Sequence, residues 1–403
     1  RYGFDDELNF IETYVFDFPY VQYDARVLDK AIQDLFFMAG VSYYKAYPSE
    51  NIRIDHGKVS RSVAHFFGET YQTGLGEYFY INKLSPTTDI PFLPNAPEPQ
   101  ALEHESNGGQ VVAIGGGKDS LLSVEILRSQ PNVATWSLGH KAQLTPLINT
   151  IGLKHFWVDR KLDPLLLELN AQDALNGHIP ISAIFSCVGM VVAVLTGYRD
   201  VVVSNENSAN EPTLTYDGVA INHQYSKSSV YETAYQKHLA ENFGDSLRYY
   251  SLLRPYSEVR IAELFSEYFD TYKAVFSSCN RAFVQNCDHI SWCGTCSKCA
   301  FTFLALTPFV AQEKLEALWH KNLLLDPTLI TTYQNLLGIS GDKPLDCVGE
   351  IKESRAAMQL AQQQYPGLGY EFELPESYDF RATAPHSMPE DIAALLPQND
   401  STE

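Results

Sequence analysis

The chain has 403 residues, 45% of them hydrophobic and 12% aromatic, with a formal charge of -20 at pH 7. That length and apolar content support a large buried core, divided over two or three domains. The acidic balance excludes a broad nucleic-acid surface, which depends on clustered Lys and Arg, but leaves room for a small anionic ligand in a local cationic pocket.

Residues 1–105 read as an aromatic-rich α+β region, with a strand-like stretch at 10–23 and a helix-like one at 28–39. The start is charged, then interrupted by Glu12, Asp17 and Pro19, so no secretory signal is expected. Pro91, Pro94, Pro97 and Pro99, followed by the polar run ending in Gly108 and Gly109, mark a boundary. From Gln110 strands (111–114, 133–138, 155–158, 201–204) alternate with helices (120–128, 144–151, 164–171, 181–198). This predicts an α/β fold, a doubly wound parallel sheet, in a domain spanning 106–310. Ligands of such sheets bind beyond the carboxyl ends of the strands. The uncharged run 179–198 approaches membrane-spanning length, but Pro180, Ser182, Ser186 and Cys187 thin it and a strand follows directly. A buried helix is expected, and no membrane association. Residues 311–403 form a helical C-terminal region to about 337, then a looser stretch and an acidic tail.

Val111, Val112, Ala113 and Ile114 lead into Gly115, Gly116, Gly117, Lys118, Asp119 and Ser120, and an apolar helix-like run follows. Strand, glycine turn and helix start together form a phosphate-binding arrangement. Glycines let the backbone approach an anion, and the amides at the helix start point at it. A Walker A loop is disfavoured, because Val112 and Asp119 stand where it needs Gly and Ser or Thr. A Rossmann fingerprint is disfavoured too, with Ser120 at its third glycine. The loop resembles the PP-loop of ATP pyrophosphatases, an α/β fold of the adenine nucleotide alpha-hydrolase type. It departs from the pattern Ser-Gly-Gly-x-Asp-Ser at the first position, where Gly115 lacks the hydroxyl.

Seven cysteines in a chain this long make no disulfide scaffold and point to a reducing compartment, the cytoplasm. Cys293, Cys296 and Cys299 at two-residue gaps, with Cys279 upstream, can close a tetrahedral structural zinc site. A redox Cys-x-x-Cys and packing or acid/base thiols are the competing readings, and Cys287 is an alternative fourth ligand. Cys187 and Cys347 read as packing residues. Three further clusters are polar: Ser204 to Ser208, His223 to Lys227, and Arg248 to Pro255.

Together these segments resemble the ATP-dependent UDP-N-acetylmuramoyl-L-alanyl-L-glutamate epimerases of bacterial peptidoglycan synthesis. The resemblance runs through Ser42-Tyr43-Tyr44-Lys45-Ala46, Gly74-Leu75-Gly76-Glu77, the glycine loop, Asn176-Gly177-His178-Ile179-Pro180 and Ser204-Asn205-Glu206. It continues in His223-Gln224-Tyr225-Ser226-Lys227, Tyr249 to Pro255, Ser277-Ser278-Cys279-Asn280-Arg281, the Cys293 to Cys299 run and Cys347-Val348-Gly349-Glu350.

The resemblance implies adenylation of the terminal L-glutamate by ATP, inversion at its α-carbon, and release of AMP. Gly115, Gly116, Gly117, Lys118, Ser120 and Asn205 are then candidates for nucleotide contacts, with Asp119 holding Mg²⁺. Lys45, Lys227, Arg254 and Arg281 are candidates to meet substrate anions. Inversion needs a base on one face and an acid on the other; His223, Glu206 and Cys279 are the candidates, with Asp119 and Lys227 also in the catalytic set. Cys279 cannot be both a thiolate base and a closed zinc ligand. A muramoyl-L-alanine:L-glutamate ligase is the implied source of substrate. A nucleobase-modifying PP-loop enzyme of the 7-cyano-7-deazaguanine synthase type, and a non-catalytic nucleotide-sensing module, are the alternative readings.

Overall fold

In the computed structural model, which describes residues 1–4, 7–49, 51–172, 174–283, 290–341 and 343–397, the alternating segments assemble into a six-stranded sheet. Its strands are β1 (Thr13–Phe16), β2 (Gln110–Ala113), β3 (Val133–Leu138), β4 (Lys154–Lys161), β5 (Asp200–Val203) and β6 (Arg248–Ser251). They lie in the order β6-β5-β2-β3-β4-β1. Every neighbouring pair is parallel except β4 with β1, where Thr13 faces Lys161 in antiparallel register. The expected parallel sheet therefore gains an antiparallel edge strand from the N-terminal region.

The central strands are covered on both faces, which is why they read as continuous apolar runs. Val111 and Val201 point into one core while Val112 and Val202 point into the other, the alternation a strand imposes. The first core is filled by α1 (Ala25–Ala39), α2 (Arg61–Gly74) and α5 (Ile181–Thr196), with the short α3 (Gly76–Ile81) continuing the N-terminal region and α4 (Lys118–Leu127) following the glycine loop on the other side. α5 is the uncharged run, and it is buried along nearly its whole length. Sixteen residues span about 24 Å, and among the described residues no helix is long and apolar enough to cross a membrane. At Gly189 a Cβ would come within 2.6 Å of Val201 Cγ1, so the glycine sets how closely α5 lies on the sheet.

α6 (Ser229–Phe243) joins this core, and α7 (Glu258–Ser266), α8 (Ser297–Leu306) and α9 (Ile351–Gln364) pack in the second. Two elements depart from the sequence reading. The cluster at Arg248 is strand β6, whose Tyr249 and Tyr250 are buried. The stretch after 337 contains helix α9, whose buried side is made of small residues, Ala356, Ala357 and Ala361 with Met358, and gives a weak apolar stripe.

Candidate active site

Three adjacent strands, β2, β5 and β6, deliver charged residues just past their carboxyl ends. β2 leads to Lys118 and Asp119, β5 to Glu206 and β6 to Glu258, and all four line one narrow cleft of about 60 Å³. The strand order reverses between β2 and β5, the crevice where open α/β sheets place their ligands. A larger open depression of about 590 Å³ beside Tyr256 and His386 gathers no comparable charged cluster.

The glycine loop enters this cleft at the start of α4. Gly116 has φ +94°, and its carbonyl accepts from Ser277 N at 3.0 Å. A Cβ there would lie 2.9 Å from Phe283 Cζ, whereas at Gly115 it would meet nothing within 4 Å. Gly117 occupies the cap position, and Ser120 Oγ turns back to donate to the Gly117 carbonyl at 3.1 Å. Lys118 is only 4% exposed and is bonded by both Asp119 and Glu258. Burial opposes its charge, but these two carboxylates hold its pKa above the ordinary lysine value. Glu258 is pushed up to about 8, first by burial and then, against the pull of Lys118, by Asp119 and Glu206. Its backbone N–H donates to buried Glu353 at 2.9 Å, which anchors the start of α7 to α9.

The opposite charge comes from Lys227, whose Nζ donates to Cys347 Sγ at 3.1 Å and to Gln224 Oε1 at 3.3 Å. The charge of His223 also acts on Cys347, and His223 Nδ1 is bonded to Glu77 on α3. The His178 ring lies against His223, with centroids 4.2 Å apart. Burial would raise the Cys347 thiol, but Lys227 and His223 bring it down to about 6. Burial would lower His223, but Cys347 and Glu77 lift it to about 9, while burial and that neighbouring charge hold His178 down to about 4. Cys347 is thus not the packing residue expected; unlike Cys187, which is fully buried in the core, its thiol lines the cleft.

Arg254, expected to meet a substrate anion, is buried instead and bonded to Glu232 through Nε at 3.1 Å and Nη2 at 2.8 Å. Nη1 and Nη2 also reach the carbonyls of Glu206 at 2.6 Å and Lys227 at 2.5 Å, which ties the guanidinium to two cleft residues. Asn205 follows β5, and its carbonyl accepts from Ser251 Oγ at 2.6 Å. Lys45 is bonded to Asn176 on the loop that carries His178, outside the cleft lining. Arg281 is exposed beside the thiol cluster.

Cys279, Cys293, Cys296 and Cys299 converge, with all four sulfurs within 4.8 Å of one another. The Cys279–Cys296 and Cys293–Cys299 separations are 3.8 and 3.7 Å. A tetrahedral ion with bonds of about 2.3 Å sets its sulfurs about 3.8 Å apart, so the donor set fits zinc. Backbone N–H groups of Arg281 and Gly294 donate to Cys279 and Cys299 at 3.4 Å, contacts that favour thiolates. This geometry places Cys279 with the cluster. Cys287 lies outside the described residues. Asp346 connects the two regions, accepting from Asn280 Nδ2 at 2.8 Å and bonding Ser297, one residue before Cys347.

Glu258, Glu77, His178 and Cys347 have no site role in the sequence reading. Glu258 lies in the chain segment just after a recognised polar cluster, but the other three come together only through tertiary packing.

A parallel sheet that gathers carboxylates, a lysine pair and a thiol at one edge, beside a cysteine cluster able to hold a metal, is the frame of an α/β enzyme. Residues 1–252 match the MurL N-terminal domain and residues 275–367 the MurL C-terminal domain, and the chain belongs to the MurL family. It is 38% identical over 368 residues to the UDP-N-acetyl-alpha-D-muramoyl-L-alanyl-L-glutamate epimerase of a Micromonospora species, covering 90% of this chain and 82% of that protein. It is 39% identical over 374 residues to the protein of the same name from Xanthomonas oryzae pv. oryzae, covering 89% and 81%.

Proposed function

We propose that this chain is an isomerase that inverts the α-carbon of the terminal L-glutamate of UDP-N-acetylmuramoyl-L-alanyl-L-glutamate, after ATP has adenylated its carboxylate. An ionised carboxylate resists loss of the α-proton, because the carbanion adds charge to charge. Adenylation removes that charge and lets the carbanion delocalise as an enolate. The observation that carries this reading is the glycine loop, which opens α4 at Lys118 and Asp119, two residues that line a cleft rich in titratable groups.

In this reading residues 106–310 form the ATP-binding catalytic region, flanked in sequence by 1–105 and 311–403. The amides of Gly115, Gly116 and Gly117 and those opening α4 bind phosphate, and Lys118 neutralises it once freed from Glu258. Asp119 and Glu206 offer the hard oxygen donors that Mg²⁺ takes, and the ion would offset phosphate charge. A cleft of about 60 Å³ admits the reacting carbon and its carboxylate, so the rest of the substrate lies outside it. The reaction belongs in the cytoplasm, where a muramoyl-L-alanine:L-glutamate ligase makes the substrate. Incubation with ATP, Mg²⁺ and the L-glutamate dipeptide nucleotide should give D-glutamate on hydrolysis, with AMP and pyrophosphate. ADP and phosphate instead would mean an acyl-phosphate, and unchanged L-glutamate would remove the activity altogether.

A further inference from the structure

Cys347 combines features that a packing cysteine does not need. Its sulfur accepts from Lys227 Nζ at 3.1 Å, the charge of the Glu77-bonded His223 acts on it as well, and it opens on the cleft that holds Lys118, Asp119, Glu206 and Glu258. Its backbone is also fixed. At Gly349 a Cβ would stand 2.5 Å from Phe301 Cζ and 2.4 Å from Glu353 Oε2, so a side chain there would have to displace those two groups of α8 and α9. Val348 is buried, and Asp346 ties the other side to Asn280 and Ser297. A thiol held by two cationic partners at the edge of a polar cleft is arranged to lose its proton and to take one back.

We infer that Cys347 is a catalytic residue of the inversion, its thiolate taking the α-proton from one face of the activated glutamyl carbon. The inference rests on the function proposed above. The sulfur lone pair forms the S–H bond, and the electrons of the C–H bond pass into the enolate of the acyl group. The other face of the carbon receives a proton from the Glu258 carboxyl, leaving its carboxylate. Return of one proton from the thiol to solvent and one from solvent to Glu258 restores the starting state. Lys227 and His223 are positioning residues that keep the thiolate charged, and Lys298, Asp119 and Glu206 complete the charges around it. Ionised Cys347 at neutral pH agrees with its lowered pKa, and a protonated Glu258 with its raised one.

The test measures two readouts on the full-length protein with ATP, Mg²⁺ and the dipeptide nucleotide: pyrophosphate exchange into ATP, and deuterium uptake at Cα in deuterium oxide. In Cys347→Ser the ratio of α-deuteration to exchange should fall by at least about 100-fold. In the wild type, iodoacetamide should alkylate Cys347 with a midpoint near pH 6, and Lys227→Met should move that midpoint upward. An unchanged ratio in Cys347→Ser, or a Cys347 midpoint at the ordinary thiol value, overturns the inference. If the wild type shows no pyrophosphate exchange, the adenylation reading fails by itself, and α-deuteration in Cys347→Ser against wild type still decides the role of Cys347.

Discussion

His238 Nε2 and Asp34 Oδ2 lie 2.9 Å apart although 204 positions separate them in the chain, and both side chains are almost wholly buried. Lys30 Nζ completes the group, donating to Asp34 Oδ1 at 2.7 Å. The contact pins α1 to α6 inside the core that carries the sheet. Removing one member leaves charge uncompensated, so Asp34→Ala should cost about 3–5 kcal/mol of stability. Burial raises the Asp34 pKa, but Lys30 and His238 outweigh it and leave it below the ordinary aspartate value. The stabilisation is therefore present above the unfolded carboxylate pKa and disappears as pH falls through the lower folded value. Urea unfolding of wild type and variant at neutral and acid pH measures both effects; a gap that persists at full strength in acid contradicts the assignment.

The two ends of the glycine turn should respond differently to an added methyl group. Gly116→Ala puts a Cβ at φ +94° and 2.9 Å from Phe283, which should lose on the order of 1–2 kcal/mol from the backbone alone and confound any activity measurement. Gly115→Ala points into open space. Its unfolding midpoint should match wild type while the KM for ATP rises roughly tenfold, the worth of one charge-assisted hydrogen bond. Unaltered ATP kinetics in a stable Gly115→Ala protein would dissociate the loop from nucleotide binding.

What could be read in advance was what the chain writes locally. The glycine loop and the Cys293, Cys296, Cys299 spacing carry their chemistry within a few residues, and the strands from 110 to 204 show as apolar runs because both sheet faces are covered. Strand β6 was hidden because Arg248, Tyr249, Tyr250 and Ser251 look polar, although the aromatic rings are buried and Arg248 pairs with Asp200. β1 joins the sheet from a region that reads as separate. Cys347 looks inert in sequence because its two cationic partners arrive from Lys227 and His223, more than a hundred positions away. Arg254 misleads in the opposite sense: a conspicuous cation whose donors are spent on Glu232 and two carbonyls.

Purified protein should contain about one zinc ion per chain, held by Cys279, Cys293, Cys296 and Cys299. Because Asp346 links Asn280 and Ser297 to the Cys347 segment, chelation should do more than release four titratable thiols. It should also slow α-deuteration, and restoring zinc should restore it. Metal analysis that finds none in protein prepared without chelators returns these thiols to packing.

The pH dependence of α-deuteration should be bell-shaped. The rising limb belongs to Cys347, whose thiolate forms as pH climbs through about 6. Decline should follow as Glu258 gives up its proton near 8, with His223 losing its positive charge near 9. Since the base must be ionised and the acid protonated, activity peaks between the two limbs. Glu258→Gln should remove most of the turnover and move the falling limb of what remains up to the His223 value near 9, and rates measured from pH 5 to 10 at saturating ATP will show it.

The Arg254 fork has a mechanical consequence. One planar guanidinium grips the carbonyls of Glu206 and Lys227 while Glu232 holds it from behind, and such a fork tolerates little change in the angle or spacing of what it binds. These two residues therefore behave as one stiff jamb. A ligand larger than the cleft has to be admitted by the facing leaf, where Lys118 is held by side-chain contacts to Asp119 and Glu258, which an arriving anion can exchange one for another without disturbing the jamb.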